Sequence, residues 1–250
     1  MGVVVSRWRV ACLLVVVAAV TGACTPAPAD LQPSRTYEDS QQSSLYEVTS
    51  DQLCTQEAAE AIGAKSGLVD VSYSAFGPGK LADFLMIDCS IRGLWADERF
   101  HTRPIWGPTS SVQVEVYDDV ELAIRYFDIR RDSQQSNVLL RAQQINVPQP
   151  LITEIDGWWD EGWRIQWYEG IDLSRAGLNR LDAVRVFVNG GVRHDNLVIF
   201  FETNAPVPSV MWDEGYEALS NLGDLLIEEA RRHVSRTPRD ALDLRLRSPD

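Results

Sequence analysis

Histidine is scarce in this chain: three in 250 residues, His101, His194 and His233. None stands at ligand spacing from a cysteine, so a Cys/His zinc site is not expected, and no cofactor is implied. Basic residues are few as well, 23 against 36 acidic, for a formal charge of −13. Such a surface repels nucleic acid and anionic headgroups, which excludes DNA and RNA as partners. No apolar run reaches the roughly 20 residues of a membrane span; even Val3 to Val20 is interrupted by Ser6, Arg7 and Arg9. There is no Gly-x-Ser-x-Gly elbow to expose a nucleophile, and no repeat at a solenoid period. Gly77-Pro78-Gly79-Lys80 lacks the Gly-Lys-Ser/Thr ending of a phosphate loop and reads as a turn.

What is present begins at the first residue. Arg7 and Arg9 precede the apolar stretch Ala11 to Val20, and Thr21-Gly22-Ala23 leads to Cys24. A positive segment, a short apolar core and a small-residue exit make a secretory signal peptide. The exit resembles the lipobox of bacterial lipoproteins, with Thr21 where Leu or Val is usual. The resemblance implies that Cys24 carries diacylglyceryl and becomes the first mature residue. Ordinary cleavage after Ala23 and an uncleaved helix are the alternatives. Cysteine arithmetic favours the lipid: removal of residues 1–23 takes Cys12 and leaves Cys24, Cys54 and Cys89, an odd number for an oxidising compartment. Lipidation of Cys24 leaves Cys54 and Cys89 as a disulfide pair, with a metal site or a reactive thiol as the competing readings. A disulfide would pin the first helix to the sheet.

The expected organisation is therefore a signal peptide over 1–23, a lipidated cysteine and polar Pro/Ser-rich tether over 24–46, an α+β extracytoplasmic domain over 47–236, and a charged tail over 237–250. At 45% hydrophobic the chain can bury a core. A helix is expected around Ser50 to Gly63, capped by Ser50 or Thr55 and closed by Gly63. Alternation predicts strands at Val69–Ala75, Leu85–Ile91 and Val112–Val116, the first two joined by a turn over Phe76 to Lys80. Asp118, with Glu121 three residues on, is expected to cap a second helix that fades over Arg130 to Ser136, leaving Arg130-Arg131 as a solvated end. Four more strands follow, at Leu151–Ile155, around Trp163–Trp167, at Val184–Val188 and at Asn196–Glu202. Asn189-Gly190-Gly191 reads as the hairpin between the last two. The fourth is apolar on both sides of the pleat and is expected at the centre, covered on both faces. Pro206 and Pro208 should break the chain before a long helix, Val210 to Ser235, with its stripe at Trp212, Tyr216, Leu219, Leu222, Leu226 and Ala230. Leu242, Leu244 and Leu246 suggest a short edge strand. Short links imply a mostly antiparallel sheet of about seven strands with helices on one face.

The run Gln52 to Ala59, Asp88-Cys89-Ser90, and Val112 to Phe127 resemble actinobacterial envelope lipoproteins of unknown function. That resemblance implies a surface-anchored domain and carries over no catalytic residue.

One stretch is a candidate binding site. Trp158, Trp159 and Trp163 interleave with Asp156, Asp160 and Glu161. Aromatic faces with a few polar groups stack on sugars or cage cations; core packing at a hairpin end is the competing reading. His194-Asp195 reads as a solvated loop pair. The function expected is a non-enzymatic envelope lipoprotein at the extracytoplasmic face of the cell membrane, held there by Cys24 and binding an envelope protein or small ligand. The alternatives are an envelope enzyme acting on glycans or peptides, signalled by Asp156, Asp160 or Glu161 meeting His194 in one deep cleft, and an assembly accessory.

Overall fold

A computed structural model describes residues 44–50, 52–81, 83–102, 105–145, 147–171 and 183–238. Cys24, the signal segment, most of the tether and Leu242 to Leu246 lie outside the described residues. The elements in chain order are β1 (Ser44–Val48), α1 (Gln56–Lys65), β2 (Leu68–Lys80), β3 (Phe84–Trp95), β4 (Thr109–Tyr117), α2 (Val120–Ile145), β5 (Leu151–Glu154), β6 (Glu161–Gly170), β7 (Ala183–His194), β8 (Leu197–Pro208), α3 (Trp212–Arg232) and β9 (Val234–Pro238). This is an α+β fold. Seven strands pair antiparallel in the order β2-β3-β4-β8-β7-β6-β5, and β1 pairs with β9 in a separate two-stranded ladder. Among the described residues no helix is long and apolar enough to cross a membrane.

β8 is the middle strand, as its two-sided apolar pattern requires. Leu197, Ile199 and Phe201 face one core with α1 and α3; Val198 and Phe200 face a second core with Phe127 of α2. The helices are therefore divided. α1 and α3 share one face, and α2 lies on the other, which corrects the single-face expectation. The reason is β8 itself: a strand with large apolar side chains on both sides needs a cover on both.

Two glycines move the hairpin. Gly190 and Gly191 lie inside β7, opposite Phe201 and Phe200. A Cβ on Gly190 would stand 2.5 Å from the Phe201 ring, and one on Gly191 would stand 2.7 Å from that of Phe200. They make room for two phenyl rings rather than bend the chain, and Gly223 of α3 admits Phe201 from its other side. The turn comes later, at Asp195-Asn196, with Asp195 at φ 51°.

Other boundaries shift for equally local reasons. Thr55 caps α1, its hydroxyl accepting from the Ala58 N–H at 3.2 Å, and Ser66 rather than Gly63 ends it. Asp119, not Asp118, caps α2, accepting from the Leu122 N–H at 2.8 Å. α2 does not fade at Arg130. It runs to Ile145 because Val138 and Ala142 continue its buried side. Phe76 to Lys80 is strand, not turn: β2 is an edge whose register slips between Phe76 and Gly79, where Pro78 needs no ladder partner. Pro206 and Pro208 lie within β8, beyond its last pairing with β4 at Asn204, so their missing N–H groups break no ladder on that side. α3 stops at Arg232, and Val234–Pro238 is a strand that pairs with β1. Ser44 to Tyr46, within the expected tether, thus belong to strand β1, and Tyr46 is buried.

Cys54 and Cys89 are joined, with Cα atoms 5.9 Å apart. Both are buried. The bridge ties the segment just before α1 to β3.

Candidate functional site

The β5–β6 turn and the first residue of β6, Glu161, hold all five candidate binding residues, and three of them are committed internally. Asp160 reaches across to the β7–β8 turn. Its carboxylate accepts from the Asp195 N–H at 2.9 Å and Arg193 Nη1 at 3.0 Å, and meets His194 Nδ1 at 3.0 Å. Its own N–H donates to the Arg193 carbonyl at 2.9 Å. Burial alone would raise the Asp160 pKa. The Asp195 amide, then the charges of His194 and Arg193, outweigh it, so the carboxyl titrates below the ordinary range. Arg193 is 6% exposed. Its charge is balanced by Asp160 and, at 3.6 Å, by Glu161, whose other oxygen lies 3.6 Å from Arg131 of α2.

Trp158 is the third committed residue. The His194 ring lies 4.1 Å from it by centroid, Trp159 stands edge-on at 4.8 Å, and Tyr46 of β1 is edge-on at 6.0 Å. The Arg231 guanidinium sits 4.1 Å over the same indole. A cation already occupies the face that a cationic ligand would use. His194 is likewise packed, not solvated: its side chain is 16% exposed and lies against both Trp158 and Tyr46. The sequence expectation of a loose histidine fails because β1 folds back over this turn.

Asp156 and Trp159 remain, with Glu154 beside them. These three line two clefts. One, of about 540 Å³, lies toward α2, with Ile152, Phe127, Arg131 and Gln135 on its far wall. The other, of about 440 Å³, lies toward α3, with Arg164, Asp224 and Glu228 opposite. Arg164 and Asp224 are themselves an ion pair. Trp159 is the shared wall. Among the described residues neither Glu154 nor Asp156 forms an ion pair, so their charge is open to a ligand. Trp163 and Trp167, by contrast, are core.

Asp160 and His194 do meet, as an enzyme would require; Asp160 lines the cleft toward α2, and His194 lines neither cleft. Trp158 and Tyr46 lie against the imidazole, and Asp156 and Glu161 turn to the clefts. Among the described residues no group of three or more His, Cys, Asp or Glu could hold a metal ion.

The residues that sequence reasoning missed are Tyr46, Arg193, Asn196 and Arg231. They come from β1, the β7–β8 turn and the end of α3, far from the tryptophans in sequence. The one available signal was Asp195-Asn196 as a turn pair, hidden by the stronger-looking glycines at 190–191. Neither a family model nor a curated protein matches this chain, so its function has to be argued from these side chains.

Proposed function

We propose that the protein is a lipid-anchored component of the bacterial cell envelope, attached through Cys24, whose α+β domain binds a ligand at the Trp159 ridge without catalysing a reaction on it. The observation that carries the binding half is the pair of clefts flanking Trp159, with Glu154 and Asp156 lining both and unpaired. A half-buried aromatic wall beside carboxylates that form no ion pair among the described residues suits a sugar ring with its hydroxyls or an organic cation. Asp160 supports a structural reading, because its carboxylate is engaged by the Asp195 amide, Arg193 and His194, which tie the β5–β6 turn to the β7–β8 turn. An enzyme acting on glycans or peptides would need both members of the Asp160–His194 pair to face substrate, whereas Trp158 and Tyr46 pack against the imidazole. The anchoring half rests on the segment ending at Cys24 and on the Cys54–Cys89 bridge, which leaves Cys24 without a partner among the mature cysteines.

Each half has its own test. Metabolic acyl labelling with detergent partitioning should find the wild type labelled and in the detergent phase, and Cys24→Ser unlabelled; a wild type that stays aqueous and unlabelled removes the anchor. NMR titration with tri-N-acetylglucosamine and with tetramethylammonium should move the Trp159 indole signal in the wild type for at least one probe, with binding lost in Trp159→Ala. Silence with both probes removes the ridge as a binding site.

A further inference from the structure

Arginine in this acidic chain is mostly spoken for: Arg130, Arg141, Arg164 and Arg193 each sit on a carboxylate. Arg92 and Arg185 do not. Neither forms an ion pair or a hydrogen bond with any described residue, yet both line one cleft of about 380 Å³ with Trp106, Asn204 and Pro206.

The register shows how they come together. Arg92 of β3 pairs with Thr109 of β4, Thr109 with Asn204 of β8, and Arg185 of β7 with Pro206 two residues farther along. By their alternation with the residues of the α1–α3 core, all these side chains stand on the α2 face of the sheet. Three inter-strand spacings, ~14 Å, separate the β3 and β7 backbones. Two arginines reaching inward with a phosphate group between them close that span. The carboxylate directly across from Arg185 is Glu169, and Arg141 already holds it at 2.7 Å. Glu202, two residues before Asn204 on β8, lies under Gln134 of α2. The rim is built as well. The loop carrying Ile105 and Trp106 crosses the end of β3 where a Cβ on Gly107 would run into the Gly93 backbone, and the Gly93 N–H donates to the Pro108 carbonyl at 3.4 Å. Ile105 and Trp106 are left 55% and 38% exposed over the cleft.

We propose that this cleft binds a phosphate-bearing organic ligand, the phosphate between the Arg92 and Arg185 guanidinia and the apolar portion against Trp106. Two guanidinia bring two positive charges, which a phosphomonoester with its charge of nearly two and three terminal oxygens balances and a carboxylate with one charge does not. The Asn204 amide supplies a further donor from the floor. The site is separate from the Trp159 ridge: Arg185 and His194 stand nine residues apart along β7, ~30 Å, so the cleft opens at the end of the sheet away from β1.

The test uses the full chain purified in detergent, at physiological salt so that long-range charge is screened. Binding is measured for inorganic phosphate, for phenyl phosphate, and for glycerophosphoglycerol, the deacylated headgroup of an anionic phospholipid. Saturable binding of a phosphate probe is expected, weakened at least tenfold in Arg92→Gln and in Arg185→Gln. Arg125→Gln, at an exposed arginine of α2 with no ion pair among the described residues, should leave it unchanged. Trp106→Ala should weaken phenyl phosphate and spare inorganic phosphate. Preference for phenyl phosphate assigns a soluble phosphomonoester, and preference for glycerophosphoglycerol a lipid headgroup. Absence of saturable binding by all three, or an equal loss in Arg125→Gln, overturns the proposal.

Discussion

Asn196 and Tyr46, 150 residues apart, fasten the first strand to the sheet. The Tyr46 N–H donates to Asn196 Oδ1 at 2.7 Å, and Asn196 Nδ2 donates to the carbonyls of Tyr46 at 3.3 Å and Tyr117 at 2.8 Å. Asn196 is buried. One side chain therefore satisfies three backbone groups, all of buried residues. Asn196→Ala strands all three, and stranded buried groups cost about 1–3 kcal/mol each. The expected loss is at least about 2 kcal/mol in urea unfolding, with hydrogen exchange at Tyr46 accelerated before that of β8.

A second polar knot sits between β4 and α2. Glu115, 3% exposed, accepts from Arg130 Nη1 at 2.8 Å, from Tyr117 Oη at 2.6 Å and from Gln113 Nε2 at 2.6 Å. Arg130 also lies 4.1 Å over the Phe200 ring. Arg130→Ala leaves a buried carboxylate with its cation gone. Breaking such a pair costs about 3–5 kcal/mol, and the lower end is expected because Arg130 keeps some contact with water. Replacing Glu115 and Arg130 together with Gln and Met should cost less than Arg130→Ala alone; a double-mutant cycle checks this.

Acid sensitivity should trace in part to Asp160. Its folded pKa lies below the ordinary value of about 4, so below that value the unfolded chain binds the proton more readily than the fold does. The stability it contributes is present above about pH 4 and is lost as pH falls through the folded pKa. Asp224 has the opposite sign: burial raises its pKa against the pull of Arg164, so the fold loses stability as pH rises through that window. Thermal melts from pH 2 to 7 should show a shallower acid limb for Asp160→Asn than for the wild type, and a steeper one for Asp224→Asn.

The Cys54–Cys89 bridge closes a loop with a sequence separation of 35. Loop-closure entropy for that length gives about 3–4 kcal/mol. Since both sulfurs are buried, reductant should act only after local opening. The double Cys54→Ser, Cys89→Ser protein should show the full drop in denaturant midpoint, while the native protein incubated with dithiothreitol should approach it slowly.

Gly191→Ala pushes a methyl into the Phe200 ring, next to Phe127. Overpacking costs about 1–3 kcal/mol, and near-ultraviolet circular dichroism should report the disturbed rings.

Legibility in the sequence followed how local each cause was. Strands β4 and β8 and helix α3 could be read because burial on one or two faces writes a period of 2 or 3.6 directly into the residues. Gly190-Gly191 could not be read, since a glycine that admits a phenyl ring and a glycine that turns a hairpin are the same letter. α2 could not be followed to Ile145 because its polar stretch hides two separated buried anchors, Val138 and Ala142. The candidate turn was found, but the division of labour within it was not. That Trp158 and Asp160 are occupied depends on Tyr46, His194 and Arg231, which only the three-dimensional pairing of β1 with β9 and the ends of β7 and α3 brings near.

The ladder between β1 and β9 places Ser44 directly opposite Pro238. Partners in such a ladder stand ~5 Å apart, so the two ends of the described stretch lie side by side. A short peptide stitched across that gap would make the backbone a closed ring, and the ring could be reopened at an exposed bend elsewhere without disturbing a strand. A fluorescent label at either end would report from the same corner, while the Arg92–Arg185 rim, at the other end of β7, stays unencumbered.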